Sequence, residues 1–380
     1  MAGLYLHIPF CKQACYYCDF HFSTSQEHRH GLITNVANEL RLQKDYLNGE
    51  SVDTIYFGGG TPSLLTSQEM ETIFEAIHAS YPIADRPEIT LEANPDDLNG
   101  IKLEELKQLG INRLSIGIQS FDDAILKSLN RVHDSHQAVR CVRDARNAGF
   151  DNISIDLIYA IPGQNPGIWE KNVERALSFS PEHLTSYSLT IEEKTAFGKW
   201  QKKGKIHAVE EELVAQQFEL LMDLTLSAGY EHYEISNFCK PGFHSRHNSS
   251  YWKQQTYLGI GPSAHSYDGA SRQFNVSNNA FYSKAIEQGR IPFEREVLTK
   301  ENKINEYIFT TLRTVWGCHL EKVKLDFGVD LYQKNRVYLT ELQEKELVVI
   351  ENDILKLTRS GKLLADKIAA DLFIDEKVDS

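Results

Sequence analysis

The chain has 380 residues, 41% of them hydrophobic and 24% charged, with a formal net charge of −13. These proportions fit an ordinary globular protein with room for two or three domains. The acidic balance argues against a general nucleic-acid binder, and no apolar run approaches the roughly 20 residues of a membrane span.

A short apolar strand, Leu4–Ile8, opens the chain and runs directly into Pro9-Phe10-Cys11-Lys12-Gln13-Ala14-Cys15-Tyr16-Tyr17-Cys18. Three cysteines at C-x3-C-x2-C spacing can hold three irons of a [4Fe–4S] cluster and leave the fourth iron for a ligand that is not protein. Such an open iron suits S-adenosylmethionine (SAM). A structural zinc site would need a second cysteine pair, and Cys141, Cys239 and Cys318 are too scattered to supply one. A disulfide framework would need an oxidising compartment. With no signal-peptide pattern at the N-terminus, the six cysteines fit a reducing cytoplasm.

Strand and helix patterns then alternate. Further strands are predicted at Thr54–Phe57, Glu88–Ala93, Arg113–Ile118, Asn152–Ile158 and His183–Ile191. Helices are predicted near Gly31–Leu47, Ser67–Ala79, Leu103–Leu109, Asp122–Leu129, His136–Ala148 and Ile168–Phe179. Six β–α units in series imply an α/β fold with a parallel sheet, an open partial (β/α)6 barrel rather than a closed eight-fold one. The chemically unusual residues gather at one end of these strands. The cysteines follow the first strand and Gly58-Gly59-Gly60-Thr61-Pro62 follows the second. Glu92 and Asn94 end the third, Gln119 ends the fourth, Asp156 lies in the fifth, and Tyr187 and Ser188 lie late in the sixth. In a barrel of parallel strands that end carries the site.

Past about Thr195 the pattern changes to a long amphipathic helix, Val209–Ala228, and a strand, Tyr230–Ile235. We place a domain boundary there, with residues 1–235 as the barrel and 236–380 as an α+β C-terminal domain. That domain opens with His247-Asn248-Ser249-Ser250-Tyr251-Trp252 and the segment Tyr257–His265. From Lys300 the order is helix, helix, hairpin, helix, with Asn352-Asp353 as the hairpin turn. This is a winged-helix-like segment without a concentrated basic face, so a structural role is expected and no nucleic acid.

The cysteine motif, with an aromatic residue just before its last cysteine, resembles the radical SAM superfamily. More narrowly, Tyr5–Cys11, Gly58–Pro62, Leu114–Phe121, Leu129-Asn130-Arg131 and Ile155–Tyr159 are similar to the HemN/HemW family, which contains oxygen-independent coproporphyrinogen III oxidases and their relatives. The resemblance implies cluster ligation by Cys11, Cys15 and Cys18. It implies SAM contacts at Tyr5, Tyr17, Gly59, Gly60, Thr61, Glu92, Gln119, Arg131 and Asp156. Glycine carbonyls would take the ammonium group, Arg131 the carboxylate and the acidic residues the ribose hydroxyls.

Three departures separate the chain from the oxidases. Phe20 stands where they have a further cysteine, the first strand starts close to Met1, and the H-N-x-x-Y-W motif is present. That motif marks the HemW branch, whose members resemble haem chaperones that deliver haem to acceptor proteins. The resemblance leaves open whether the acceptors are membrane-associated. His247 is then the candidate axial haem ligand, with Tyr251 and Trp252 against the macrocycle. The alternative is that the motif closes the barrel mouth or packs the domains together, with His244 and His265 as nearby ligands. The runner-up function is oxidative decarboxylation of coproporphyrinogen III, and a third is radical chemistry on another substrate.

Overall fold

The computed structural model describes residues 2–375. Six parallel strands follow one another across its centre: β1 (Ala2–Ile8), β2 (Val52–Gly59), β3 (Ile83–Ala93), β4 (Arg113–Gln119), β5 (Ile153–Tyr159) and β6 (His183–Ser188). Covered on both faces, they read as nearly continuous apolar runs, with Leu4, Leu6, Ile8, Leu114, Ile116, Ile155 and Leu157 fully buried. Apart from the helix Arg29–Leu42, the connecting helices begin at side-chain caps that satisfy otherwise orphaned N–H groups. Thr66 with Glu69, and Asp134 with Gln137, form reciprocal capping boxes.

The sheet does not close. It extends to twelve strands by short additions at both edges. Beyond β6 lie β8 (Asn237–Cys239) and β7 (Glu231–Glu234), both antiparallel. Beyond β1 lies β9 (Tyr257–Ile260), parallel to it, followed by β10 (His265–Tyr267), β11 (Ser271–Asn275) and β12 (Phe293–Val297). Residue 235 therefore falls between two paired strands, and residues 236–297 complete the barrel sheet. Buried Glu39 fastens this added edge: its carboxylate accepts from Gly261 N at 2.7 Å, Asn275 Nδ2 at 2.6 Å and Gln43 Nε2 at 2.8 Å.

From Lys300 the chain builds a second apolar cluster around Ile304, Ile308, Val323, Leu339, Leu355 and Ile368. A small sheet of β13 (Cys318–His319), β14 (Val348–Glu351) and β15 (Ile354–Leu357) packs there in the order β13-β15-β14. Asn352 and Asp353 both take positive φ, 50° and 60°, as a two-residue hairpin turn of this hand requires. Among the described residues no helix is long and apolar enough to cross a membrane.

Candidate cluster and cofactor site

The loop after β1 is tied at its base by Ser23 N donating to Pro9 O at 2.8 Å and Cys11 N donating to Ser23 O at 3.0 Å. Its far side is pinned to the turn before Arg131. Asn130 Nδ2 donates to Ala14 O at 2.7 Å, and Gln13 Nε2 donates to Asn130 O at 2.9 Å. Cys11, Cys15 and Cys18 are free, half-buried and face one cavity of about 370 Å3. Burial pushes the Cys18 thiol up to about 11 and Cys11 up as well, so holding both as thiolates calls for a cation. Among the described residues, only Glu231, Cys239 and His244 bring three ligand atoms within 4.8 Å of one another. The loop sulfurs are spread wider, as suits ligands to separate irons rather than to one ion.

The glycine run lies against this loop. Gly60 N donates to Ile8 O at 2.9 Å, and Thr61 N donates to Phe10 O at 2.7 Å. A Cβ on Gly60 would stand 2.7 Å from both Ile8 O and Phe10 O. Gly59 has a φ of +104°, and a Cβ there would lie 2.7 Å from the His7 ring. Only glycine fits this close approach. Thr61 Oγ1 stands 3.5 Å from Cys11 Sγ and accepts from Asn94 Nδ2 at 3.2 Å.

The remaining walls carry buried polar groups. Glu92 accepts from the Tyr56 hydroxyl at 2.8 Å, and burial pushes its carboxyl up to about 7. Asp156 accepts from Ser115 Oγ at 3.1 and 3.0 Å, and burial raises it too. Arg131 Nη2 donates to Asn94 Oδ1 and Gly117 O, both at 2.6 Å, and Nη1 stands 3.5 Å from Cys15 Sγ. Arg131 Nε and Gln119 Oε1 are buried without a hydrogen-bond partner among the described residues. A buried donor and a buried acceptor left open are costly unless a ligand meets them. Beside three thiols, two carboxyls and a glycine turn, they fit a cluster carrying an amino-acid-like nucleoside ligand.

Of the residues expected from sequence, Cys11, Cys15, Cys18, Tyr17, Gly59, Gly60, Thr61, Glu92, Gln119, Arg131 and Asp156 line this one cavity. Tyr5 and His247 do not. The Tyr5 hydroxyl bonds His7 Nδ1 at 3.2 Å, and the ring faces a larger neighbouring cavity. His247, expected to offer its imidazole to haem iron, is 1% exposed with both nitrogens engaged. Nδ1 lies 2.8 Å from Thr54 Oγ1, and Nε2 lies 2.7 Å from the Tyr251 hydroxyl. Its ring stacks on Tyr56 at 4.8 Å, and burial pushes its pKa down to about 3. In this structure neither nitrogen is open to iron. Sequence reading missed Tyr56, Ser115 and Thr185 in the cavity wall. Register was the available signal, since Ser115 pairs with Glu92 and Thr185 with Asp156 on a shared sheet face.

The profile of the Radical SAM superfamily matches residues 5–176, and that of the HemN C-terminal domain matches residues 298–364. Heme chaperone HemW of Bacillus subtilis is 35% identical over 371 residues, 97% of this chain and 98% of its own length. The chain belongs to the HemW family. Heme chaperone HemW of Lactococcus lactis is likewise 35% identical, across 98% of this chain and 97% of its own. The fold also matches the solved structure of Escherichia coli coproporphyrinogen III oxidase (HemN), with a TM-score of 0.83 at 22% identity over 98% of this chain and 90% of that one. The HemW-family chain thus shares its architecture with an oxidase and its sequence with relatives named as chaperones.

Beside the cysteine cavity this HemW-family structure has a second, larger one of about 910 Å3. Its size lies toward the top of the roughly 300–1,000 Å3 range of small-molecule sites. Phe20, 72% exposed, borders both cavities, so the cluster loop forms part of the wall between them.

Proposed function

We propose that this protein is a cytoplasmic haem chaperone, which binds haem and passes it to acceptor proteins. The near full-length similarity to relatives named as heme chaperones carries the reading. The structure supports it with two adjoining cavities, one suited to a cluster with SAM and one large, aromatic and free of cysteine. Cys11, Cys15 and Cys18 would hold a [4Fe–4S] cluster, and Tyr17, Gly59, Gly60, Thr61, Glu92, Gln119, Arg131 and Asp156 would hold SAM. When bound, the cluster supplies an open iron and an electron for SAM chemistry. The chain's own contribution is to fix the loop through Asn130 and to aim Arg131 and Gln119 at the ligand. Residues 1–235 carry all of these groups, while 236–380 supply most of the larger cavity's walls, where haem would sit.

The test is a paired assay on anaerobically reconstituted protein. Saturable haem binding and transfer to a haem-free globin, without decarboxylation of coproporphyrinogen III, is the expected result. Formation of decarboxylated porphyrinogen would replace the chaperone with the oxidase.

A further inference from the structure

We propose that His265 is the iron ligand for haem held in the larger cavity; this rests on the haem-chaperone reading. Strand register places His265 among the aromatic residues of this edge. Tyr267 pairs with Tyr257 and with Arg272, and His265 pairs with Phe274. Paired residues share a sheet face, as do residues two apart, so these side chains form one surface. Of that surface, Tyr257, His265, Tyr267 and Arg272 line the cavity. A Cβ on Gly259 would stand 2.0 Å from His265 O, so glycine there permits the tight β9–β10 corner that brings His265 to the wall.

Haem iron takes histidine, cysteine, methionine or tyrosine from a protein. Among the described residues no cysteine or methionine lines the cavity. Burial holds the phenols of Tyr5, Tyr251, Tyr257 and Tyr267 above their usual range, which disfavours a tyrosinate. Three histidines remain. His7 is buried with one nitrogen on Tyr5 and the other on His21 O, at 3.2 and 2.9 Å. His21 spends Nε2 on Asn279 Oδ1 at 2.7 Å. His265 is exposed to the cavity, stacks on Phe274 at 5.6 Å, and makes no side-chain hydrogen bond among the described residues. It is the imidazole with both nitrogens open.

The other walls suit the macrocycle. Phe20, Trp252 and Phe309 offer aromatic surface. Arg272 is already held by Glu306 through two bonds of 2.7 and 2.9 Å, and Asp19 and Glu296 add negative charge. The propionates therefore point out to water, and recognition runs through the ring and the iron.

The test is a haemin titration of the full-length, cluster-reconstituted chain, read by absorption and electron paramagnetic resonance. Wild type should give a histidine-ligated spectrum. His265→Ala should lose it, bind haemin about tenfold or more weakly, melt like wild type, and regain the spectrum when free imidazole is added. His265→Met should shift the spectrum to a thioether-ligated form. An unchanged spectrum in both variants, or its loss in His21→Ala instead, would overturn the assignment while leaving haem binding intact. A wild-type chain that takes up no haemin would overturn the chaperone reading and this assignment with it.

Discussion

Thr54 Oγ1 lies 2.8 Å from Nδ1 of His247, a contact that joins the second barrel strand to a helix 193 positions later. Glu88 of β3 reinforces it by accepting from the backbone N–H groups of Arg246 and His247 at 3.0 and 2.9 Å. Tyr251 stands one helical turn on from His247 and meets its second nitrogen. Trp252 lines the large cavity, and the Arg313 guanidinium lies 5.6 Å from its ring centroid. The H-N-x-x-Y-W motif is thus a bracket: its histidine grips the barrel while its tryptophan faces the cavity.

His247→Ala should destabilise the fold by about 2–4 kcal/mol, because two buried hydrogen bonds and a ring stack are lost together. Urea denaturation would measure this. A melting curve identical to wild type would reduce the bracket to an incidental contact.

Substituting Ala for Cys11, Cys15 or Cys18 should abolish the iron–sulfur absorption, since each would supply one of three protein ligands. Cys141, Cys239 and Cys318 are buried away from the loop. Their replacement should lower stability and leave cluster content unchanged. Cluster loss in a folded Cys141, Cys239 and Cys318 triple variant would redraw the ligand set.

The six β–α units were legible because each strand is a buried apolar run punctuated by caps or glycine. Strands β9 to β12 were not, since they are three to five residues long. The pairing of Gly3 with Tyr257 is a long-range choice that local pattern does not encode. Strand β3 starts at Ile83, before Pro87, which local reading took as outside the strand. The strand-end residues pointed to one face correctly because their chemistry clusters there. His247 shows the limit: its helix partner Tyr251 follows from spacing, but only the fold reveals Thr54 on its other nitrogen.

Arg131→Ala should weaken SAM binding about ten- to hundredfold, a charge-assisted loss of about 1.5–3 kcal/mol. Arg131→Lys should recover part of it, since a lysine keeps the charge but not the fork that meets Asn94, Gly117 and Cys15. Equilibrium dialysis with cluster content checked in parallel would decide. Unchanged affinity would make Arg131 a brace for the loop alone.

Stability of the SAM-free chain should rise with pH between about 5 and 6.5. Burial pushes the imidazoles of His7 and His133 down to about 4, those of His232 and His247 to about 3, and His183 well below its usual value. In the unfolded chain histidines titrate near about 6.5. Below that pH the unfolded state takes up protons that the folded state refuses, so the stability these groups provide is lost as pH falls. Glu39, Glu92 and Asp156, each raised by burial, oppose the trend. The two glutamates rise to about 7, so the folded state keeps protons that unfolded carboxyls release above about 4.3, and the stabilising share of these groups fades as pH rises. The histidines outnumber these carboxyls, so the net slope is positive. Urea midpoints at pH 5.0, 5.75 and 6.5 should increase in that order. His232→Gln should flatten the slope by removing one such group. A midpoint that falls over this interval would mean that the buried carboxyls, and not the imidazoles, dominate the titration of the fold.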